Sequence, residues 1–447
     1  MSNSLLFRQA TLPGGEQADV LVRDGLIAEI GTISSEASRV LDAAGLRILP
    51  GLVDLHTHLR EPGFEASETI LTGSQAAAAG GYTTVFPMAN TSPVADNASV
   101  VELELSRGRE AGYVQVQPIG AVTAGLAGTA LADLKGMADS RARVRVFSDD
   151  GKCVHDPLVM RRALEYVSAF DGVIAQHAQE PRLTEQAQMN EGELASRLGL
   201  AGWPAIAEET IIARDVLIAE SVGAALHICH LSTAGSVDVV RWAKQRGIRV
   251  TAEVTPHHLL LTEDLAESYD ARFKVNPPLR TSEDVLAVRR GLADGTIDIV
   301  ATDHAPHPSE SKECEWDVAA FGMVGLESAL SIVLLTMVET GELSWVDVER
   351  VMSRTPAQIG RLDWQGLSVG APARLTLVDP GARQVFATEH LAGRSTNSPY
   401  LGRVLPGRIV YTAFEGYLTV DDGALVPAET VAGHALDYAM QRGVPRG

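Results

Sequence analysis

Eight short runs rich in β-branched and apolar residues, at 51–56, 82–86, 113–118, 143–147, 172–176, 224–229, 248–253 and 297–301, recur along the middle of the chain. Alanine- and leucine-rich stretches separate them. The spacing of roughly 25 to 50 residues leaves room for a crossover helix between successive parallel strands, whereas a hairpin would need only a few residues. Stretches such as 156–170 and 206–221 carry apolar residues three and four apart, the period of a helix that buries one face. Eight strand–helix units predict a (β/α)8 TIM barrel over residues 51–364, with a doubly wound open sheet as the alternative.

The two ends follow another pattern. Residues 1–50 hold short alternating runs at 18–22, 26–30 and 46–49 broken by glycine, and residues 365–447 hold similar runs at 373–378 and 407–412. Neither end has enough apolar residues for a core of its own, so both are expected to join in one small composite β-sandwich beside the barrel. The rest of the chain is that of a globular protein, 45% hydrophobic and 21% charged over 447 residues. A net charge of -20 disfavours nucleic acid or an anionic membrane as partner. No apolar run approaches the roughly 20 residues of a membrane span. The start, Met-Ser-Asn-Ser-Leu-Leu-Phe-Arg, lacks the basic-then-apolar signature of a signal peptide. Cys153, Cys229 and Cys314 are widely spaced and form no CxxC pair, so a reducing, cytoplasmic setting is expected; the partner expected in place of nucleic acid or membrane is a small-molecule substrate.

In a barrel of this kind the chemistry sits at the C-terminal ends of the strands. The first run ends in Asp54-Leu55-His56-Thr57-His58, where two imidazoles alternate onto one face, and Arg60 keeps the same parity. The second leads to Asn90, the fourth to Asp149-Asp150-Gly151, the fifth to His177, the sixth to His230, and the eighth to Asp303-His304-Ala305-Pro306-His307. Each has an ordinary reading. An isolated HxH arises by chance, Asp149-Asp150-Gly151 is a turn sequence, and Asp303 could cap a helix. The joint placement decides: His56, His58, Asp150, His177, His230 and Asp303 fall at the ends of five of the eight strands, which a barrel brings together.

This donor set is all nitrogen and oxygen, which suits zinc, with manganese, iron or cobalt as substitutes. Six ligands exceed the four of one tetrahedral ion, so two metals sharing a carboxylate and a hydroxide are expected. The chain has no G-x-S-x-G elbow, no phosphate loop, no H-E-x-x-H and no G-x-G-x-x-G after a strand. Gly120, Gly125 and Gly128, after the third strand, read as a flexible barrel loop.

Over essentially its whole length the chain resembles the amidohydrolase superfamily, and within it the bacterial dihydroorotases. The resemblance rests on the run from Pro50 through His56, His58 and Arg60 to Gly63, on Pro87-Met88-Ala89-Asn90-Thr91, on Phe147-Ser148-Asp149-Asp150-Gly151, and on Ala301-Thr302-Asp303-His304-Ala305-Pro306-His307. It implies a (β/α)8 barrel with a composite β-sandwich from both termini. It implies two zinc ions per subunit, one held by His56, His58 and Asp303, the other by His177 and His230, bridged by Asp150 and a hydroxide. Family spacing selects Asp150 over Asp149, and no lysine stands at the fourth strand end for a carboxylated bridge. Asp303 would be the catalytic base and acid. His58, Arg60, Asn90, Asn276, His307, Phe321 and Gly322 would contact substrate, the last two through the main chain. The implied reaction is the reversible hydrolysis of (S)-dihydroorotate to N-carbamoyl-L-aspartate in pyrimidine synthesis. The implied assembly is a homodimer, with aspartate carbamoyltransferase as the partner to test.

Allantoinases and dihydropyrimidinases are the rival readings on the same fold. They act on rings without a carboxylate at the matching position, and Arg60 with Asn90 favours dihydroorotate. A metal-free scaffolding relative is the rival from another class, but such proteins lack the metal histidines and this chain has all of them.

Overall fold

The structure, a computed structural model, describes residues 4–442. Residues 1–3, the beginning of the stretch read for a leader, and residues 443–447 lie outside the described residues. All eight expected barrel strands form. Leu52–Thr57, Tyr82–Pro87 and Gln115–Val116 make one parallel sheet, and Val146–Phe147, Val173–Gln176, Leu226–Ile228, Val250–Val254 and Ile299–Val300 make another. Parallel bridges from Gly120 to Phe147 and from Thr57 to His304 join the two sheets and close the barrel. Leu52–Thr57 and Tyr82–Pro87 are buried along their whole length, which is why these strands read as nearly continuous apolar runs rather than alternating ones.

The interior is filled by Val53, Leu55, Phe86, Met88, Ile119, Val146, Ala175, Ile299 and Ala301. It is a packed core below the mouth, and the polar residues sit above it. Helices cover the outside. Pro157–Ser168 begins because Asp156 accepts from Leu158 N and Val159 N at 2.8 and 3.0 Å and Pro157 stands in its first turn. It buries Met160, Ala163, Leu164 and Val167, one face at helical spacing. Ile206–Val222 ends at Gly223, whose φ of 67° is left-handed.

The chain ends meet in one nine-stranded sheet. Arg47–Pro50 pairs antiparallel with Leu375–Val385, which joins the N-terminal strands to Val404–Phe414, Tyr417–Asp421 and Ala424–Leu425. Ser4–Thr11 lies at the centre of the N-terminal strands, between Arg47–Pro50 and Gln17–Arg23. The main core of this sheet is an apolar cluster drawn from both termini, including Phe7, Val20, Ile27, Ile48, Leu377, Val410 and Leu418, while Leu6, Leu21 and Ile33 form a smaller one on the N-terminal strands. At its closing point the two turns approach so nearly that a Cβ on Gly416 would stand 2.6 Å from Gly25 Cα. Among the described residues no helix is long and apolar enough to cross a membrane.

Candidate active site

The barrel brings the six expected ligands to one buried point at its mouth. Three of the four imidazoles are turned inward by a hydrogen bond made outward. His56 donates from Nδ1 to Glu253 Oε1 at 2.6 Å, His58 from Nδ1 to Asn90 Oδ1 at 3.0 Å, and His177 from Nε2 to Gln179 Oε1 at 2.7 Å. The tautomer follows from the acceptor in each case, so the other nitrogen of each ring carries a lone pair directed at the centre. The backbone amide of His230 is also tied to Glu253 Oε1, at 3.1 Å. His230 and Asp303 adopt left-handed backbone, φ 31° and 49°, a conformation that non-glycine residues rarely hold outside constrained sites.

Asp150 stands between the rings. Its Oδ1 lies 3.1 Å from His177 Nδ1, 3.2 Å from His230 Nε2 and 3.4 Å from His56 Nε2, while its Oδ2 lies 3.3 Å from His58 Nε2. Asp303 Oδ1 is 3.0 Å from His58 Nε2 and 3.4 Å from His56 Nε2. Asp149 points elsewhere. It accepts from Val122 N at 2.8 Å, Thr123 N at 2.9 Å and Thr123 Oγ1. The loop around Gly120–Gly128, read from its glycines as flexible, is therefore tied to the barrel rim at Val122 and Thr123.

The electrostatics show what such a convergence requires. Burial works against charge on His56, yet the carboxylates of Asp150, Glu253 and Asp303 hold its pKa well above the usual value. Burial pushes the two aspartates up, but His56 and the neighbouring imidazoles outweigh it and hold Asp150 well below the usual carboxylate range and Asp303 at about 2. Glu253 is likewise held below its usual value by His56 and His227 against burial. His56 Nε2 is buried with no hydrogen-bond partner. Clustered lone pairs and carboxylates need protons or cations between them, and the donor groups His56–His58–Asp303 and His56–Asp150–His230 fit divalent ions.

Beside this centre lies an anion-receptive corner. Arg60 donates from Nε to Pro306 O at 3.2 Å, and its Nη2 lies 3.3 Å from His307 Nε2. His307 Nε2 is also 2.8 Å from Phe321 O. A carbonyl accepts only from a protonated nitrogen, so Nε2 carries the proton and does not accept from Arg60. Among the described residues the guanidinium therefore has no acceptor beyond Pro306 O. Burial lowers Arg60 to about 10, which leaves it cationic at neutral pH. Burial, with Arg60 beside it, lowers His307 to about 3 and keeps it neutral. Asn90 spends its carbonyl oxygen on His58, leaving its amide hydrogens without an acceptor among the described residues. Asn276 Nδ2 donates to Gln179 Oε1 at 3.1 Å, on the far side of His177. Gly322, at φ 132°, packs where a Cβ would meet Ala305 Cβ at 2.7 Å and His307 Nε2 at 3.0 Å.

Several residues of the site carry no sequence motif of their own. Glu253, which orients His56, stands next to the last residue of the seventh strand, Val250–Val254, a strand-end place that could have marked it. Gln179 lies two residues past His177. Asn397 holds the His307 turn by accepting from His307 N at 3.2 Å and donating to Ala305 O and Gly322 O at 3.1 and 3.2 Å. It comes from the C-terminal segment, 90 residues away, and no local pattern marks it.

Residues 45–236 match the family model described as "Dihydro-orotase-like". The chain is 68% identical to a dihydroorotase of Leifsonia xyli subsp. xyli, over 95% of this chain and 97% of that protein. It is 62% identical to a dihydroorotase of Streptomyces coelicolor, over 95% of this chain and 100% of that protein. It is 55% identical to one of Mycobacterium tuberculosis, over 92% and 96%. Among solved structures it is similar to the L-hydantoinase (dihydropyrimidinase) from Arthrobacter aurescens, with a TM-score of 0.85, 25% identity and coverage of 96% of this chain and 98% of that one.

Proposed function

The chain belongs to the dihydroorotase family of cyclic amidohydrolases, and from that premise we propose how its residues divide the reaction. The reaction is the reversible hydrolysis of (S)-dihydroorotate to N-carbamoyl-L-aspartate, the ring-closing chemistry of pyrimidine synthesis, and it runs in the cytoplasm. Three cysteines without disulfide partners support that location. Zinc is the metal, two ions per subunit. His56, His58 and Asp303 would hold one and His177 and His230 the other, with Asp150 between them. Asp150 Oδ1 faces His177, His230 and His56 and its Oδ2 faces His58, so the carboxylate reaches residues of both groups, which supports its place between them. When bound, such ions lower the pKa of water and polarise an amide carbonyl.

The side chains do the rest. Asp303 commits Oδ1 to His58 and leaves Oδ2 without a hydrogen bond among the described residues. As an ionised carboxylate at neutral pH, it takes the proton of the attacking water and delivers it to the leaving ring nitrogen. Arg60 and the Asn90 amide grip the exocyclic carboxylate, Asn276 and His307 border the ring, and the main chain of Phe321 and Gly322 caps it. The observation that carries the substrate choice is Arg60: a half-buried guanidinium, still cationic, with an edge that lacks an acceptor among the described residues. Hydantoin and dihydrouracil offer no carboxylate for that edge. The test is turnover of dihydroorotate, allantoin, hydantoin and dihydrouracil in parallel, before and after chelation. Dihydroorotate should be preferred and the activity lost on chelation. A preference for a ring without a carboxylate would overturn the reading.

A further inference from the structure

Lys312 is only 6% exposed, yet among the described residues it makes no ion pair. Its three N–H bonds are instead matched by three carbonyl oxygens: Ala320 O at 2.7 Å, Gly322 O at 2.9 Å and Lys274 O at 3.2 Å. Burying an ammonium is costly, and a methionine would fill the same space without that cost. What the ammonium adds is a tie between two segments. One is 320–322, which carries the Phe321 carbonyl that fixes His307. The other is 274–276, which carries Asn276. Gly322 N donates to Lys274 O at 2.9 Å along the same seam. Lys274 itself, 1% exposed, turns its Nζ to Trp316 O and Asp317 O and lies 4.4 Å from the centre of the Phe321 ring. The seam is thus held by backbone carbonyls and two ammonium groups, and it carries Asn276, whose Nδ2 lies 3.4 Å from His177 Nε2.

We infer that Lys312 is a positioning residue for substrate: its ammonium knits 320–322 to 274–276, and so sets the affinity of the pocket rather than the proton-transfer step. The inference rests on the reading that these segments border bound dihydroorotate. It has a consequence in pH. Burial, reinforced by the Lys274 ammonium, lowers Lys312 to about 7. The groups facing it are Lys274, Asp270 and Cys314, with His307 and Arg60 beyond the segment. An amine that has lost its third proton turns a lone pair toward a carbonyl oxygen, and the tie loosens.

The experiment is steady-state kinetics of the metal-loaded enzyme and of Lys312→Met on dihydroorotate from pH 6.5 to 8.5, with metal content and thermal melting measured alongside. At pH 6.5 the substitution should raise KM about tenfold, the worth of one hydrogen bond to a charged group. Over the same comparison kcat should stay within about threefold and metal content should not change. The ratio of the two KM values should shrink as pH rises, because the unsubstituted enzyme comes to resemble the variant. An unchanged KM, or a fall in kcat that matches the fall in kcat/KM, would overturn the inference. Should the variant not fold, the unsubstituted enzyme decides alone: a KM flat across this range overturns the inference. Lys274, lowered to about 8 by burial, titrates nearby and its ammonium helps lower Lys312, so Lys274→Met should keep a pH-dependent KM with its midpoint moved to higher pH; loss of the dependence would assign it to Lys274 and overturn the inference. Absence of dihydroorotate turnover in the unsubstituted enzyme would instead overturn the substrate reading.

Discussion

At the barrel mouth Glu253 is wholly buried between His56, His227 and the amide of His230. In the terminal sheet Phe7 is buried just as deeply, but against Tyr411 and aliphatic neighbours. The two regions exclude water equally and with opposite energetics. Apolar burial in the sheet stabilises the fold. The mouth gathers carboxylates and imidazoles that repay their desolvation only when each lone pair meets a proton or a cation. The molecule thus separates its two tasks in space: the sheet and the barrel interior supply stability, and the mouth spends some of it on chemistry.

That separation can be broken from either side. The largest effect is expected at Asp303. Asp303→Asn keeps the shape and removes the proton carrier, so kcat should fall roughly 10³-fold with melting temperature nearly unchanged. Steady-state kinetics beside a thermal melt reads both. Phe7→Ala should do the reverse. It should cost about 3–4 kcal/mol of stability, seen as a lower urea midpoint, while kcat/KM of the folded enzyme stays within twofold. Loss of activity in proportion to stability would mean that the sheet and the mouth are not separate.

Arg60→Ala sharpens the mouth itself. Removing the charged grip on the carboxylate should lower kcat/KM roughly 100-fold, about 3 kcal/mol, and leave bound metal intact by elemental analysis.

The smallest effect is a pH slope. Burial, with Arg60 beside it, holds His307 in the folded chain at about 3, against an ordinary histidine value of 6.5. Between those values the unfolded chain binds a proton that the folded chain does not. Stability is therefore complete above 6.5 and is lost as pH falls toward 3, at up to about 1.4 kcal/mol per unit. Denaturant unfolding at pH 7 and pH 5 should show this loss, and His307→Gln should flatten it.

The same contrast explains what the sequence made legible. The ligands at the strand ends were readable because a barrel makes position along a strand equivalent to position in the site. The eight strands were readable because burial on both faces leaves dense apolar runs. The terminal sheet was half readable. Runs 18–22 and 26–30 stand out as apolar segments set off by glycine, but Ser4–Thr11, buried at its first four positions and again at Ala10, has no two-residue period. Arg39–Asp42 is only four residues long and mostly exposed. Lys312 and Asn397 were invisible for another reason. Each acts through backbone carbonyls or amides, Asn397 on partners far along the chain, and a loop lysine or asparagine is ordinarily solvated. The choice between Asp149 and Asp150 needed the direction of two adjacent side chains, which spacing alone does not supply.

The bridge between Thr57 and His304 gives the site a history as well as a place. His58 and Asp303, 245 residues apart, face each other only after the last strand has docked beside the first. A chain still being synthesised can fold several strand–helix units, but it cannot complete the His56–His58–Asp303 group until the ring is shut. Completion of that donor group is therefore a certificate of finished topology, withheld from any chain that ends before the eighth strand.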